Sequence, residues 1–283
     1  MIRSDHPGAE GMGDAAVRTT SDWMAVMRRM EHERADAYLR DPHAHLLTGE
    51  PAISQVEYCL GIGGPFGVII GRGRFGDSAV EQAVSAGVRQ VVSLGAGSDT
   101  RPWRLPLPAD LTWYEVDLPG QLDGKTKVFE EADLAPGCRR ECVEADLRQA
   151  WDRALGAVGH DASKPTAWVA EGLFYYLERP DALAVTDTLT RLSAPGSRVV
   201  FDVPHPGFVT DPEKAEFARY MSDRGSPFVG AAEHPAELLR DTGWVTEAYR
   251  SPDLEAGRCA WLDPMPHRLA ADHHLIWYAH ARR

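Results

Sequence analysis

The sequence predicts an α/β fold, in which a seven-stranded and mostly parallel sheet carries helices on both faces. Short, nearly continuous apolar runs recur along the chain with helical segments between them, which is typical of parallel strands buried on both faces. A glycine-rich turn follows the first of these runs, and one later connection is too long to be a simple loop. The 283 residues are enough for one large domain.

Seven segments have the length and apolar character of strands. We predict strands at Gln90–Leu94, Thr112–Val116, Arg140–Ala145, Thr166–Ala170, Arg198–Val203, Trp244–Tyr249 and Leu275–His280. The connection between the fifth and sixth of these segments contains a helical stretch of its own, "DPEKAEFARYMSDRG". We therefore predict a lid over residues 204–235, because a long connection with its own helix commonly covers a binding site.

The N-terminal quarter of the chain predicts helices rather than strands. Residues 1–18 are predicted to be a disordered tail, and residues 19–283 a single domain whose residues 19–75 form a helical cap. A first helix is expected to start at an N-cap, Thr20 or Ser21. A later helix, "GDSAVEQAVSAG", is expected to start at Asp77 or Ser78 and to end at Gly87.

The glycine turn, Gly95-Ala96-Gly97, resembles a dinucleotide fingerprint that lacks its third glycine, since Thr100 stands in that position. Asp99 follows the turn, in a place where a pyrophosphate would be repelled. Asp117 ends the second strand 22 residues after Gly95, at the distance expected of a carboxylate that binds ribose hydroxyls.

The next two strand ends are also polar, since Asp146-Leu147 follows the third strand and Glu171-Gly172 follows the fourth. Ligands of open α/β sheets bind at this edge. Acids around a nucleoside site favour a cationic ligand without a pyrophosphate, and S-adenosylmethionine fits this description. Its carboxylate needs a donor, for which Arg72, Arg74 and Arg101 are the candidates.

Four ordered motifs give the chain a family resemblance: "QVVSLGAGSDTRPWRL", "WYEVDLPGQLDGK", "VEADLRQAW" and "PTAWVAEGLFYYLERP". They resemble the leucine carboxyl methyltransferase family, and in particular its actinobacterial branch of O-methyltransferases, which includes a tetracenomycin-type polyketide carboxyl methyltransferase. The resemblance runs from about residue 19 to residue 203. It implies a class I methyltransferase (Rossmann-like) fold, an S-adenosyl-L-methionine cofactor and a role in secondary metabolism.

The resemblance also implies roles for individual residues. Arg72 is expected to bind the carboxylate of the methionine portion, with Gly95 against the same portion and Glu171 near its amino group. Asp117 is expected to bind the ribose, and Asp146 and Leu147 the adenine. The glycine turn adds Gly97 and Asp99 to the predicted cofactor site. Two stretches depart from the branch, "RGRFGD" in place of an "RTRFFD"-like segment, and Ser98 in place of an apolar residue.

The resemblance implies a carboxylate acceptor, which we expect to be a small metabolite acid of the polyketide type or another secondary metabolite acid. Such a carboxylate is ionised at neutral pH and needs no general base to attack a methyl group. Tyr175, Tyr176 and Phe228 are the predicted acceptor-lining residues. If the acceptor is a phenol, a base is required, and His205 is the candidate. A protein C-terminal carboxylate is a further alternative acceptor.

Two other classes of function share part of this predicted site. A nicotinamide-dependent dehydrogenase would need a pyrophosphate beside Asp99, and a non-catalytic cofactor-binding protein would lack an acceptor cavity. His43 with His45, and the run Asp272-His273-His274, suggest no complete metal site, so no metal is predicted.

The overall composition excludes some partners. The net charge of −12 and the lack of basic clusters argue against nucleic acid as a partner. No apolar stretch approaches the length of a membrane-spanning helix, and the first residues lack a signal-peptide core, so we expect a cytoplasmic protein without a membrane partner. The scattered cysteines are expected to be reduced thiols.

Overall fold

The computed structural model describes residues 13–240, 242–271 and 275–283, with side chains from residue 21 onward except that of residue 209. Seven strands of the described residues form one sheet: β1 Gln90–Leu94, β2 Thr112–Asp117, β3 Arg139–Glu144, β4 Thr166–Ala170, β5 Arg198–Pro204, β6 Val245–Tyr249 and β7 Ile276–Arg282. Each predicted strand is present, and its ends agree with the structure to within two residues.

The helices lie between these strands and before the first of them. They are α1 Gly13–His32, α2 Glu50–Gly61, α3 Phe66–Ser85, α4 Arg101–Arg104, α5 Asp123–Glu131, α6 Trp151–Ala157, α7 Arg179–Arg191, α8 Pro206–Thr210, α9 Ala215–Asp223, α10 Ser251–Glu255 and α11 His267–Ala270. Short 3₁₀ helices cover Ala44–Leu47, Pro212–Lys214 and Pro235–Leu239.

The strand order is β3-β2-β1-β4-β5-β7-β6. Strands β1 to β5 are paired in parallel, and β7 is antiparallel to both β5 and β6. The order reverses beside β1, so the carboxyl ends of β1 and β4 flank the crevice in which open α/β sheets bind ligands. The predicted seven-stranded, mostly parallel sheet is confirmed.

Alternate residues of each strand pack into two different apolar layers, as the two-residue period of a strand requires. Val92, Tyr114 and Trp168 face a core that α6 and α7 cover. Val91 and Trp113 face the opposite core, which α3 covers. Helices therefore protect both faces of the sheet, as the apolar strand pattern predicts.

Helix α3 corrects one prediction, because it begins at Phe66 rather than at Asp77 or Ser78. The glycines of this segment are poor helix formers, yet they permit close packing that a side chain would block. A Cβ atom at Gly73 would lie 2.8 Å from Leu39, and one at Gly67 would collide with the backbone of Leu269. The predicted end of the helix is confirmed, because Gly87 follows it with φ of +93°.

Helix α1 corrects a second prediction. It begins at Gly13, so Thr20 and Ser21 lie inside the helix and are not its N-cap. The predicted tail, residues 1–18, overlaps this helix over residues 13–18, and residues 1–12 lie outside the described residues.

The segment between β5 and β6 contains α8 and α9 and packs on the N-terminal helices. Phe217 and Met221 of α9 share an apolar cluster with Trp23 and Met27 of α1. The segment is also attached to the loop after β4, because the backbone amide of Val229 donates to the carbonyl of Tyr175 at 2.9 Å. These contacts put α1 and α9 over the carboxyl ends of the central strands.

Candidate active site

A cavity of about 430 Å³ lies at the carboxyl ends of β1, β2 and β4. Its lining contains all eight residues predicted for cofactor binding and all three predicted for the acceptor: Arg72, Gly95, Gly97, Asp99, Asp117, Asp146, Leu147, Glu171, Tyr175, Tyr176 and Phe228. Residues separated by more than 150 positions in the sequence therefore meet around one space.

The glycine turn after β1 has the backbone conformation that only glycine adopts easily. Gly95 has φ of +67° and Gly97 has φ of +40°. The turn is fixed to the end of β2, because Asp117 accepts a hydrogen bond from the Gly97 amide at 2.7 Å and one from the Leu118 amide at 2.8 Å. Burial raises the pKa of Asp117 in spite of these two donors.

Asp99 braces the turn. Its side chain accepts from the Arg101 amide and from the Arg101 guanidinium, both at 3.0 Å. Burial opposes its ionisation, but Arg101 and Lys125 outweigh burial and lower the pKa of Asp99. Asp99 therefore carries a negative charge at the edge of the cavity. The sequence predicts that an acid in this position repels a pyrophosphate.

Arg101 is buried and is shared by three carboxylates. It binds Asp77 at 2.7 Å, Asp99 at 3.0 Å and Glu171 at 2.8 Å. Glu171 also lines the cavity, and burial raises its pKa to about 7 although Arg101 acts in the opposite direction. One guanidinium divided among three acids leaves Glu171 suited to a further cation from the cavity.

Arg72 is the arginine best placed for a carboxylate in the cavity. Arg74 is not in the cavity lining and binds Ser78 and Asp263 instead, while Arg101 is already bound by acids. Arg72 lies against the turn after β4, where a Cβ atom on Gly172 would be 2.7 Å from its guanidinium. The absence of a side chain at Gly172 therefore makes room for Arg72.

The end of β3 presents Asp146 and Leu147 to the cavity. Asp146 forms a bidentate pair with Arg148, whose hydrogen bond lowers the pKa of Asp146. Leu147 belongs to the apolar core and offers a flat apolar surface. A charged acceptor beside an aliphatic side chain suits a planar heterocycle that carries an amino group.

Aromatic rings line the end of the cavity beside the segment between β5 and β6. Phe228 lies at the centre of this group, with ring centroids 6.0 Å from Tyr175, 5.8 Å from Tyr176 and 5.6 Å from Phe208. Phe217 of α9 is 5.8 Å from Phe228 on another side. This end of the cavity is therefore apolar, in contrast to the charged strand ends.

The sequence profile of the leucine carboxyl methyltransferase family matches residues 22–190, which is more than half of the chain. The chain belongs to this family. The family profile covers the N-terminal helices and the strands that carry the acids described above, and it ends within α7.

Relatives of this family member come from actinobacteria. A protein of Mycolicibacterium vanbaalenii is 40% identical over 197 residues, which cover 64% of this chain and 63% of that protein. A protein of Mycobacterium ulcerans is 33% identical over 272 residues, 86% of this chain and 84% of that protein. Both are provisionally named S-adenosyl-L-methionine-dependent methyltransferases. The predicted enzyme class and cofactor agree with these names.

Solved structures share the fold of this family member. A provisionally assigned methyltransferase from Thermobifida fusca superposes with a TM-score of 0.60 at 18% identity, over 98% of this chain and 97% of that one. A DUF574 family protein from Streptomyces avermitilis has a TM-score of 0.59 at 16% identity, over 94% and 99%. At these identities the likeness concerns the fold alone, and it supports the predicted class I methyltransferase architecture.

The two departures from the branch have local explanations in the structure. Gly76, in "RGRFGD", faces Glu171 and Arg101 so closely that a Cβ atom would collide with the Glu171 carboxylate. Ser98 donates to the carbonyl of Ser21 at 2.7 Å, and its own carbonyl accepts from Arg28 at 2.6 Å. Gly76 therefore leaves room for Glu171 beside α3, and the Ser98 hydroxyl connects the glycine turn to α1.

His205 lies apart from the other predicted residues, because it is not among the described residues that line the cavity. Its Nδ1 accepts from the Gly207 amide at 3.0 Å and caps α8, and its Nε2 is 2.9 Å from Glu233. Both ring nitrogens are engaged in this structure, which argues against the role of general base that the sequence suggests.

Arg28 lines the cavity and Asp202 binds residues that line it, and both are absent from the sequence-based prediction. Asp202 lies in β5 and binds Arg72 and Tyr175. An isolated acid in the apolar run "RVVFDVP" is a signal that could have identified it. Arg28 lies in α1, 70 residues before its partner Ser98, and no local pattern marks it.

His43 and His45 are not among the described residues that line the cavity. His45 binds the carbonyl of Pro42, and His43 packs edge-on against Phe129. The run Asp272-His273-His274 lies outside the described residues. Where the structure is described, no three His, Cys, Asp or Glu side chains gather to hold a metal ion.

No single helix of the described ranges combines the length and the hydropathy of a membrane span. The pair α2 and α3 passes that test only jointly, with a bend of 111° between the two helices.

Proposed function

We propose that the chain is an S-adenosyl-L-methionine-dependent O-methyltransferase that methylates the carboxylate of a small, apolar metabolite acid. The observation that carries this proposal is the contrast between the two ends of the cavity. One end holds acids at the strand ends, and the other holds aromatic rings under the lid. A cationic nucleoside cofactor suits the first end, and an apolar acceptor suits the second.

The charges of the strand ends fit this cofactor. Asp117 is buried and Glu171 is partly buried, and burial raises the pKa of both carboxylates. A positive ligand relieves the cost of their ionisation. Arg72 would hold the carboxylate of the methionine portion, Glu171 its amino group and Asp117 the ribose. Asp146 and Leu147 would hold the adenine. When bound, the cofactor supplies a methyl group on a positively charged sulfur.

The acceptor end favours a nucleophile that is already ionised. The described residues that line the cavity include no histidine and no lysine, and their four acids all belong to the strand ends: Asp99, Asp117, Asp146 and Glu171. No group at the aromatic end is suited to remove a proton, so an acceptor that needs a base is disfavoured. A carboxylic acid loses its proton in water before it binds.

The apolar walls would also promote the reaction. Transfer from a sulfonium to a carboxylate neutralises two opposite charges, and loss of charge is favoured where water is excluded. Phe217 and Met221 of α9 and Trp23 of α1 cover the cavity, so the lid residues would exclude water and orient the acceptor. The rate then depends on positioning by several residues rather than on one catalytic side chain.

A methyl-transfer assay with matched acceptors tests this proposal. The purified protein is incubated with methyl-labelled S-adenosylmethionine and with aromatic carboxylic acids of one to four rings, each paired with the phenol of the same ring system. We expect labelled esters, which mild base hydrolyses, and no labelled aryl ethers. Base-stable products alone would support the phenol alternative. Transfer only to a peptide C-terminus would support the protein-carboxyl alternative.

A Phe228→Ala variant serves as the matched test of the acceptor end. Phe228 touches four aromatic rings of the lid and the acceptor wall, yet it is far in sequence from the strand ends. We expect this variant to raise the KM for the acid while the Kd for the cofactor changes little. If the wild-type protein binds the cofactor but transfers no methyl group to any of these acceptors, a non-catalytic role would be favoured.

A further inference from the structure

The carboxylate of Asp202 accepts hydrogen bonds from three donors in two parts of the fold, helix α3 and the segment after β4. Asp202 lies in β5 and is 1% exposed. Its Oδ1 accepts from the Gly172 amide at 2.7 Å, and its Oδ2 accepts from the Tyr175 hydroxyl at 2.7 Å and from Arg72 Nη1 at 3.3 Å. It thereby joins α3, the turn after β4 and the start of the acceptor wall.

Asp202 does not belong to the described lining of the cavity, but its partners do. Arg72 lies at the end where the methionine portion is expected, and Tyr175 lies at the aromatic end. An isolated carboxylate is costly to bury, and here three donors compensate that cost. Any influence of Asp202 on a ligand must pass through these partners.

Only one terminal nitrogen of Arg72 is bound by a strong acceptor. Asp202 contacts Nη1, and the other terminal nitrogen is 3.1 Å from the sulfur of Met24, which is a weak acceptor. Burial disfavours the charge of Arg72, but Asp202, together with Tyr175 and Glu171, outweighs burial and raises the pKa of Arg72. The guanidinium therefore stays charged and keeps donors for a carboxylate in the cavity.

The hydroxyl of Tyr175 is fixed in the same way. Burial raises the pKa of Tyr175 well above its usual range, and the charge of Asp202 raises it further. The hydroxyl therefore keeps its proton and donates a hydrogen bond to Asp202. This bond fixes the Tyr175 ring against Phe228 at the acceptor end.

We propose that Asp202 is a positioning residue that aligns Arg72 toward the cofactor's carboxylate and, through its second bond, fixes Tyr175 in the acceptor wall. This inference rests on the proposed function, since it assumes that the cofactor's methionine portion lies beside Arg72. It predicts that loss of the Asp202 charge harms recognition of the methionine carboxylate and leaves recognition of the adenosine portion intact.

The test compares two ligands by calorimetric titration of the full chain. S-adenosylhomocysteine carries the amino-acid carboxylate, and 5′-methylthioadenosine lacks the amino-acid portion. In Asp202→Asn the amide still accepts from Gly172, but its NH₂ group faces Arg72, so two donors oppose each other. We expect at least about a ten-fold loss of affinity for S-adenosylhomocysteine, as for a lost charged hydrogen bond, and no more than about a two-fold loss for methylthioadenosine.

Glu31→Gln is the matched control. Glu31 is a fully buried acid paired with Arg268 at 2.7 Å, and it is not among the described residues of the cavity lining. This variant should bind both ligands as the wild-type protein does. Equal losses for the two ligands in Asp202→Asn, or no loss for either, would overturn the positioning role.

A second variant keeps the inference testable if Asp202→Asn does not fold. Tyr175→Phe removes one donor and leaves the Asp202–Arg72 pair intact, so the affinity for S-adenosylhomocysteine should stay within about two-fold of wild type while the KM for the acid rises. A ten-fold loss of that affinity would contradict the arrangement. If the wild-type protein binds neither ligand, the proposed function fails together with this inference; if it binds both, only the inference is at stake.

Discussion

Asp117 at the end of β2 accepts a hydrogen bond from the backbone amide of Gly97 at 2.7 Å. The residue that is predicted to bind the ribose therefore also fixes the glycine turn. Gly97 has φ of +40°, a left-handed conformation that glycine adopts more easily than other residues. A Cβ atom at Gly97 would lie 2.7 Å from the hydroxyl oxygen of Ser21 in α1. The turn, the second strand and the N-terminal helix therefore depend on one another at this point.

The first prediction concerns Asp117→Asn. The amide retains one acceptor oxygen for the Gly97 or Leu118 amides but loses the charge that is expected to bind ribose hydroxyls. We expect a ten- to hundred-fold weaker Kd for S-adenosylmethionine, or about 1.5–3 kcal/mol, as for a hydrogen bond to a charged group. Calorimetric titration measures it. Asp110→Asn, at an exposed carboxylate paired with Arg89, is the control and should bind like wild type.

The second prediction is a pH dependence of stability that originates at Glu171. Its pKa is about 7 in the folded protein, against an ordinary value of 4.5, because it is buried. At this group the folded state therefore holds more of the proton than the unfolded state between these values, so the contribution of Glu171 to the free energy of unfolding should fall as the pH rises from 4.5 to about 7. Burial lowers the pKa of His160 and of His280 to about 4, and these groups act in the opposite direction over this range, so the contribution of Glu171 has to be isolated by substitution. Urea unfolding of the ligand-free protein across this range measures the slope.

The Glu171→Gln variant isolates that contribution. Glutamine does not titrate, so the difference in free energy of unfolding between wild type and this variant should fall as the pH rises over the same range. Glu57→Gln, on an exposed position of α2, is the control and should reproduce the wild-type curve. A Glu171→Gln curve that also parallels the wild-type curve would show that burial does not protonate Glu171 in this range.

The third prediction concerns the glycines of α3. A Cβ atom at Gly76 would collide with the Glu171 carboxylate and would lie 2.6 Å from Arg101. Gly76→Ala should therefore cost about 1–3 kcal/mol of stability, as overpacking of a filled core does, and it should weaken cofactor binding because Glu171 must move. Urea unfolding and calorimetry measure the two effects.

Gly156→Ala in α6 is the matched control for that substitution. No atom lies within 4 Å of a Cβ atom built there, so alanine should stabilise the protein by about 0.4–1 kcal/mol through the unfolded state. If Gly76→Ala is as stable as wild type, that result would contradict the close contact between α3 and Glu171.

The fourth prediction concerns His205. Its Nδ1 caps α8, so His205→Ala should lose about 1 kcal/mol of stability, whereas His205→Asn keeps a capping oxygen and should lose less. With a carboxylic acid acceptor, kcat should stay within about two-fold of wild type, because no general base is needed. A fall in kcat of at least about a hundred-fold in both variants would identify His205 as a base.

The strands and the cofactor site could be predicted from the sequence because their signals are local. A buried parallel strand is a short apolar run, and its carboxyl end is marked by the next glycine or acid. Asp117 ends its strand, and Asp146 and Glu171 follow theirs within two residues. The common edge of a parallel sheet then brings them together, as the cavity lining shows.

The start of α3 could not be predicted, because the reason for its glycines lies elsewhere in the chain. Gly67 packs against Leu269, and Gly76 against Glu171. Local propensity penalises glycine in a helix, but contacts between segments distant in sequence reverse that preference. The same holds for Arg28, whose hydrogen bond to Ser98 joins residues 70 positions apart.

Asp202 was missed for a different reason. Its strand, "RVVFDVP", satisfies every requirement of a buried strand apart from this one acid. The role of the acid depends on Arg72, 130 residues earlier, and on Tyr175, 27 residues earlier. The isolated acid is visible in the sequence, but its partners Arg72 and Tyr175 are identified only in the folded structure.

A calorimetric titration of the purified protein with S-adenosylmethionine and, separately, with NAD⁺ tests the central claim most directly. The acids at Asp99, Asp117 and Glu171 favour a cationic nucleoside and oppose a pyrophosphate. We predict saturable, one-to-one binding of S-adenosylmethionine and no binding of NAD⁺ at the same concentrations. Binding of NAD⁺ without binding of S-adenosylmethionine would contradict the assignment of this cavity and favour a dehydrogenase.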